Sequence, residues 1–84
     1  MVNNLKEYEK AIRDYNKTLE IDPKFALPYN GRGNAYLGLK EYGNAIVDYN
    51  KALELDPKFT EAYDSRRTAI GIYLSILKSI NRFK

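Results

Sequence analysis

Hydrophobic positions recur at spacings of three and four along most of the chain, a pattern typical of helices with one apolar face. The pattern predicts a first helix over residues 5–21, a second over 26–37 and a third over 42–55. The first and third end at Asp-Pro, because proline removes a backbone donor and restricts the residue before it. A fourth helix is predicted over residues 60–82, since no turn signal interrupts the spacing there.

Segment 5–25 is repeated 34 residues later. Of its 21 residues, 16 are identical to those of segment 39–59. A fixed period over two copies indicates one supersecondary unit stacked on itself, and such units bury a core only against their neighbours. The fold is therefore predicted to be all-α, with antiparallel helical hairpins in a single domain over residues 1–84.

The repeat carries rings and small residues at fixed spacings, namely Tyr29-x2-Arg32-Gly33-x2-Tyr36, then Ala45-x3-Tyr49, then Ala52 and Pro57. This pattern resembles the tetratricopeptide repeat, W-x2-L-G-x2-Y…A-x3-F…P. Tyr29 and Tyr49 replace its tryptophan and phenylalanine, and Arg32 replaces its leucine. The resemblance divides the domain into the second helix of one repeat (1–25), a full repeat (26–59) and the first helix of another (60–84).

The resemblance also implies how the helices pack. In this family the glycine matched by Gly33 lets the two helices of a hairpin approach closely, with small residues such as Ala45 and Ala52 on the facing helix. The third segment departs from the pattern, because Arg67 replaces that glycine and Ile70 replaces a tyrosine. The expected architecture is a short α-solenoid that ends in one long C-terminal helix.

Composition excludes several functions. The chain has no cysteine and no histidine, so neither disulfides nor the commonest metal ligand and general base are present, and no cofactor or metal site is expected. Its serines lack a histidine partner, so no catalytic residue and no enzymatic activity are predicted. The 14 basic and 11 acidic residues are largely interleaved, which argues against nucleic-acid binding. Uncharged runs are too short to cross a membrane, and a cytoplasmic protein or a soluble domain of a larger one is expected.

The first candidate site is the inner face of the repeats, where the resemblance implies that members of the family hold a peptide or a partner's helix. Spacings of three and four place the matching positions on one face of each helix: Leu27, Asn30, Asn34 and Leu37, then Glu61, Asp64 and Thr68. Asn34 matches an asparagine with which family members bind a terminal carboxylate. Asn30, however, occupies a position that needs lysine, so this carboxylate clamp is not expected. Partner binding and simple solvation both remain open for this face.

The second candidate site is the C-terminal helix, which carries two adjoining apolar stripes: Ile70, Tyr73, Leu77 and Ile80, and Ala69, Ile72, Ile76 and Phe83. The first helix meanwhile lacks the helix that should cover its other side. We expect a homodimer in which Ile70, Tyr73, Ile76, Leu77 and Ile80 bury themselves against a second chain, whose first helix they could cover. The alternatives are a capping helix on a monomeric, peptide-binding adaptor, and a fragment of a longer repeat array.

Overall fold

The computed structural model describes residues 4–82 and folds them into four α-helices. They are α1 (Asn4–Ile21), α2 (Ala26–Gly38), α3 (Tyr42–Leu55) and α4 (Thr60–Asn81). Each helix packs against the next in sequence, and α2 also contacts α4. The predicted helix ranges are confirmed to within one residue, and α4 runs without a break, as its uninterrupted spacing indicated.

The turns after α1 and α3 have the same structure, one period apart. In each, an aspartate side chain accepts a hydrogen bond from the backbone N–H two residues on: Lys24 N to Asp22 Oδ1 at 3.2 Å, and Lys58 N to Asp56 Oδ1 at 3.1 Å. This local bond competes with continued helix, and the following proline cannot donate. The Asp-Pro pairs therefore end both helices, as predicted.

The turn between α2 and α3 does not use the two glycines that flank it in the sequence. Lys40 instead takes the left-handed conformation (φ 64°). Its N–H donates to Leu37 O at 3.0 Å, and the Glu41 N–H donates to Tyr36 O at 2.9 Å. These two bonds form the Schellman motif that closes many helices, a motif that usually has glycine at the position of Lys40.

The core is built from small residues around one large ring. Tyr49 is the largest fully buried side chain among the described residues, and it packs with Ala45 of α3 and Ala69 of α4. A Cβ placed on Gly33 would lie only 2.7 Å from Cε1 of this ring. The close approach expected at Gly33 is therefore present, and Ala45 and Ala52 are fully buried, as the resemblance implied.

Two further glycines of α2 receive tyrosine rings from α1. A Cβ on Gly31 would overlap Tyr15, and one on Gly38 would overlap Tyr8. Neither role was predicted from the sequence. Gly38 is the last residue of α2 and packs against the Tyr8 ring of α1. The left-handed conformation of the turn is adopted by Lys40 instead.

Candidate functional site

An open depression of about 430 Å³ lies along the inner face of the repeats, between α1, α2 and α4. We call it the groove. Tyr15 and Thr18 line it from α1, and Glu61 lines it from α4. From α2 it takes three of the residues predicted for partner binding: Leu27, Asn30 and Asn34.

The other predicted groove residues lie elsewhere. Leu37 is half-buried and packs against the cluster of Ala45, Tyr49 and Ala69, so part of its side chain belongs to the core. Asp64 and Thr68 are exposed on α4 and do not line the groove. The Thr68 hydroxyl donates to the Asp64 backbone carbonyl at 3.1 Å, a bond within their own helix. The structure thus brings together four of the seven residues predicted for the inner face: Leu27, Asn30, Asn34 and Glu61.

Asn30 differs from its expected solvent-side position, since only 3% of it is exposed. The helical spacing could not show this, because α2 lies between α1 and α3 and contacts α4 as well. The Asn30 Oδ1 is buried and has no hydrogen-bond partner among the described residues. An unpaired buried acceptor costs about 1–3 kcal/mol, so this amide is an unusual feature of the groove wall.

Asn34 is held by the core tyrosine. The Tyr49 hydroxyl donates to Asn34 Oδ1 at 2.7 Å, which fixes the amide at the groove. Burial raises the pKa of Tyr49 to about 12, and Ser65 beside the hydroxyl opposes the shift. The hydroxyl therefore stays protonated at neutral pH and remains a donor.

Arg32 joins three helices, a role that the sequence analysis missed. Its Nε and Nη2 donate to the two carboxylate oxygens of Asp48 at 2.8 and 2.7 Å, and its Nη1 donates to Asn16 Oδ1 at 2.8 Å. The bond to Asp48 raises the pKa of Arg32, against an opposing effect of burial. The available signal was the arginine itself, in a position where the family usually has leucine.

Half of this arrangement recurs one period later. Arg66 Nη1 donates to Asn50 Oδ1 at 2.7 Å, and these residues follow Arg32 and Asn16 by 34 positions. Each guanidinium also lies over a tyrosine ring, Arg32 at 5.5 Å from the centroid of Tyr29 and Arg66 at 5.3 Å from that of Tyr63. Within residues 4–82, however, Arg66 contacts no carboxylate.

The second half of α4 projects beyond the other helices. Every residue from 70 to 82 is exposed, and we call residues 70–81 the α4 extension. All five residues predicted for self-association lie on it, each between 37 and 54% exposed: Ile70, Tyr73, Ile76, Leu77 and Ile80. On the second stripe, Ala69 is buried against α3 and Phe83 lies outside the described residues. No helix between residues 4 and 82 has both the length and the apolar character needed to cross a bilayer.

Two protein-family models match the chain, and both describe the same repeat. A family model described as the tetratricopeptide repeat matches residues 26–59, and a second, described as the TPR repeat, matches residues 4–40. No curated protein matches the chain. Repeats of this kind generally mediate protein–protein interaction and are typically non-enzymatic. With two family models that together span α1 to α3, and with four helices in antiparallel hairpins, the chain belongs to the tetratricopeptide repeat family.

Proposed function

We propose that this chain is a protein–protein interaction module that self-associates through the α4 extension, with a homodimer as its smallest assembly. The observation that carries this proposal is the exposure of five of the large apolar side chains on this extension: Ile70, Tyr73, Ile76, Leu77 and Ile80. Their spacing of three and four places Ile70, Tyr73, Leu77 and Ile80 on one stripe. Exposed apolar patches of this size are often functional on monomers, as sites of interaction.

The opposite end of the molecule is also uncovered. Ile21, at the end of α1, is 86% exposed, the highest value among the exposed large hydrophobic residues described. Its counterpart one period later, Leu55, is only partly exposed because α3 lies between α2 and α4. Self-association that covers α1 as well as α4 removes both apolar surfaces from water, and burial of apolar area drives association.

The α4 extension alone is too small for a stable interface. Twelve helical residues span about 18 Å, and a helix is about 10 Å wide, so one face covers only a few hundred Å². A stable interface buries about 800 Å² on each partner. The extension therefore supports weak, concentration-dependent association unless the first half of α4 also takes part.

The test is the solution mass by light scattering across a hundredfold dilution. We expect the wild type to exceed 9.7 kDa at high concentration and to dissociate on dilution. Ile76→Glu with Ile80→Glu should hold the mass at that of the monomer, because a carboxylate on each of the two stripes opposes burial of the apolar surface. Val47→Glu is the control, since Val47 is also apolar and is more exposed than either isoleucine, but lies on α3. A folded wild type that is monomeric at every concentration would contradict the proposal.

Peptide binding in the groove is the second candidate, favoured by the unpaired Oδ1 of Asn30 in its wall. Peptides selected from a displayed library by wild-type protein should bind Leu27→Arg poorly, because Leu27 is exposed and lines the groove. Val47→Arg is the control. Equal binding to Leu27→Arg would exclude the groove as the binding site. This candidate fits a monomeric adaptor or one part of a longer array, and the cytoplasm stays the predicted location for either function.

A further inference from the structure

α4 carries a face equivalent to the one that α3 covers on α2. On α2, Asp48 binds Arg32, the Tyr49 ring packs on Gly33, and Tyr36 packs against the cluster that includes Ala45. Moved by one period of 34, Arg32, Gly33 and Tyr36 become Arg66, Arg67 and Ile70. These three residues, with Tyr63, line an open depression of about 270 Å³ that no described helix covers. We call this set the α4 face.

Arg66 of the α4 face has counterparts of two of the three groups that hold Arg32. Tyr63 and Asn50 contact Arg66 as Tyr29 and Asn16 contact Arg32. The third group on Arg32 is a carboxylate, Asp48, which binds Nε and Nη2. One period after Asp48 the chain has Arg82, which follows α4 itself. Arg66 is therefore an incomplete copy of a bidentate carboxylate site.

α1 carries the group that is missing from this site. Asp14, Tyr15 and Ala11 lie one period before Asp48, Tyr49 and Ala45, which are the residues that α3 turns towards α2. Asp48 is only 3% exposed, whereas Asp14 is exposed and its carboxylate has no partner among the described residues. α1 packs on α2 alone and does not contact α4 of the same chain.

We propose that α1 of a second copy covers the α4 face, with the Asp14 carboxylate bound to Nε and Nη2 of Arg66 as Asp48 is bound to Arg32. This inference rests on the self-association proposed above and names the surface of the second copy that α4 contacts. A bidentate bond between arginine and a carboxylate fixes orientation as well as supplying attraction. The arrangement places two chains in the relation that α2 and α3 have within one chain.

Charge favours α1 over a second α4 as the covering helix. Residues 66–82 contain four basic side chains and no acidic one: Arg66, Arg67, Lys78 and Arg82. Pairing this segment with its copy in a second chain would bring these like charges together, which opposes association. On α1 the residue one period before Asp48 is Asp14, so a carboxylate and not a like charge would meet Arg66. Glu7 and Lys10 lie on the same side of α1 and offset each other in charge, so the complementarity rests on Asp14.

The length of α1 also suits it to cover α4. α1 has 18 residues, four more than α3, the helix that covers the equivalent face of α2. Neighbouring helices of the hairpins are antiparallel, so the extra turn at the start of α1 would lie against the α4 extension. Such a contact covers part of the stripe that begins at Ile70 and lengthens the interface beyond what the extension provides alone.

One position makes the contact between chains shallower than the contact within a chain. A Cβ at Gly33 would lie 2.7 Å from the Tyr49 ring, and the equivalent residue on α4 is Arg67. Tyr15 of the second copy therefore meets a side chain where Tyr49 meets none. We expect Arg67→Gly to tighten association, a result that burial of the stripe alone would not produce.

The contact joins unlike surfaces, so it does not stop at two copies. A dimer formed through one contact leaves α1 of one copy and the α4 face of the other uncovered. Heterologous contacts that do not close a ring add further copies. The mass should therefore rise past twice 9.7 kDa as concentration increases.

Charge reversal tests the pairing in the full chain. Arg66→Asp places acidic groups on both surfaces, and Asp14→Arg places basic groups on both. Each variant alone should associate at least about tenfold more weakly than wild type, because like charges then meet across the contact. An equimolar mixture should recover association, since each copy then finds an opposite charge at both ends. Asp64→Arg is the control, as this exposed acid lies on α4 outside the α4 face, and it should associate as wild type does.

Sedimentation velocity of these four proteins, of the mixture and of Ile76→Glu with Ile80→Glu distinguishes the outcomes, with circular dichroism to show that each is helical. Loss in both reversals with recovery in the mixture supports the inference. Wild-type association that Ile76→Glu with Ile80→Glu abolishes, but that both reversals leave intact, overturns the inference and leaves the proposed function standing. Loss in Arg66→Asp alone assigns the carboxylate to another residue or partner and also overturns it. A wild type that never associates contradicts both proposals.

Discussion

The same substitution, glycine to alanine, should have opposite effects at two positions inside helices. At Gly33 the added Cβ would lie 2.7, 3.0 and 3.2 Å from three carbons of the Tyr49 ring. That ring is fully buried and its hydroxyl is bonded to Asn34, so it cannot move aside without breaking contacts. At Gly71 an added Cβ meets nothing within 4 Å. The two sites therefore separate helix propensity from packing.

The magnitudes follow from these two effects. Alanine is favoured over glycine inside a helix by about 0.5–1 kcal/mol, and this gain applies at both positions. Overpacking a well-filled core costs about 1–3 kcal/mol, and this cost applies at Gly33 alone. Gly71→Ala should therefore raise the free energy of unfolding by up to about 1 kcal/mol. Gly33→Ala should lower it by up to about 2.5 kcal/mol, the overpacking cost less the propensity gain.

Urea denaturation followed by far-ultraviolet circular dichroism measures both changes. With a slope of about 1 kcal/mol per molar urea, the expected midpoints differ by more than 1 M between the variants. Gly43→Ala serves as a second control, because its added Cβ also meets nothing. A Gly33→Ala midpoint equal to or above that of wild type would refute the close packing of Tyr49 on Gly33.

Three further predictions concern the core and the turns. Asp48→Ala should lower the free energy of unfolding by about 2–3 kcal/mol in the same urea assay, since it leaves the partly buried Arg32 with Asn16 as its remaining polar partner; an unchanged midpoint would mean that the ion pair is only a surface contact. The raised pKa of Tyr49, about 12 against 10.0, stabilises the fold fully below pH 10 and loses this contribution as the pH rises through 12. Tyr49→Phe should therefore lose less stability than wild type between pH 10 and 12 in pH-dependent urea titrations, and parallel losses would contradict the burial of this hydroxyl. Lys40→Gly should raise the free energy of unfolding by about 0.5–1 kcal/mol, because glycine takes the left-handed backbone without strain, and a lower midpoint would contradict the Schellman turn.

The sequence predicted those parts of the fold that depend on local signals. The helix bounds follow from apolar spacing and from Asp-Pro, both of which act within a few residues. The close packing at Gly33 followed from the family resemblance. The left-handed conformation of Lys40 was not predicted, because no residue near it in the sequence indicates one. Gly38 and Gly43 flank the turn, and glycine adopts this conformation more readily than lysine. Gly38 leaves space for the Tyr8 ring of α1, and a contact between two helices cannot be predicted from local sequence.

The candidate site was harder to predict because its residues depend on neighbours distant in sequence. A helical wheel assigned Asn30 to the solvent side, yet α1, α3 and α4 all contact α2 and leave this amide buried. The bonds from Arg32 to Asn16 and Asp48 each span 16 residues and were likewise invisible to spacing. The contact between Asn16 and Arg32 could have been predicted from the repeat, since both residues recur 34 positions later as Asn50 and Arg66.

The departures from the repeat explain why α4 is the place where association is expected. At Tyr63 and Arg66 the repeat is kept, with the same ring, amide and guanidinium in contact. From Arg67 onward it is broken: arginine replaces the glycine that admits a buried ring, and Ile72 replaces Gly38. A helix that binds the α4 face therefore retains the charged contact but loses the deepest packing. Because close packing supplies much of the energy of a permanent contact and charges supply orientation, this combination favours a specific contact that remains reversible.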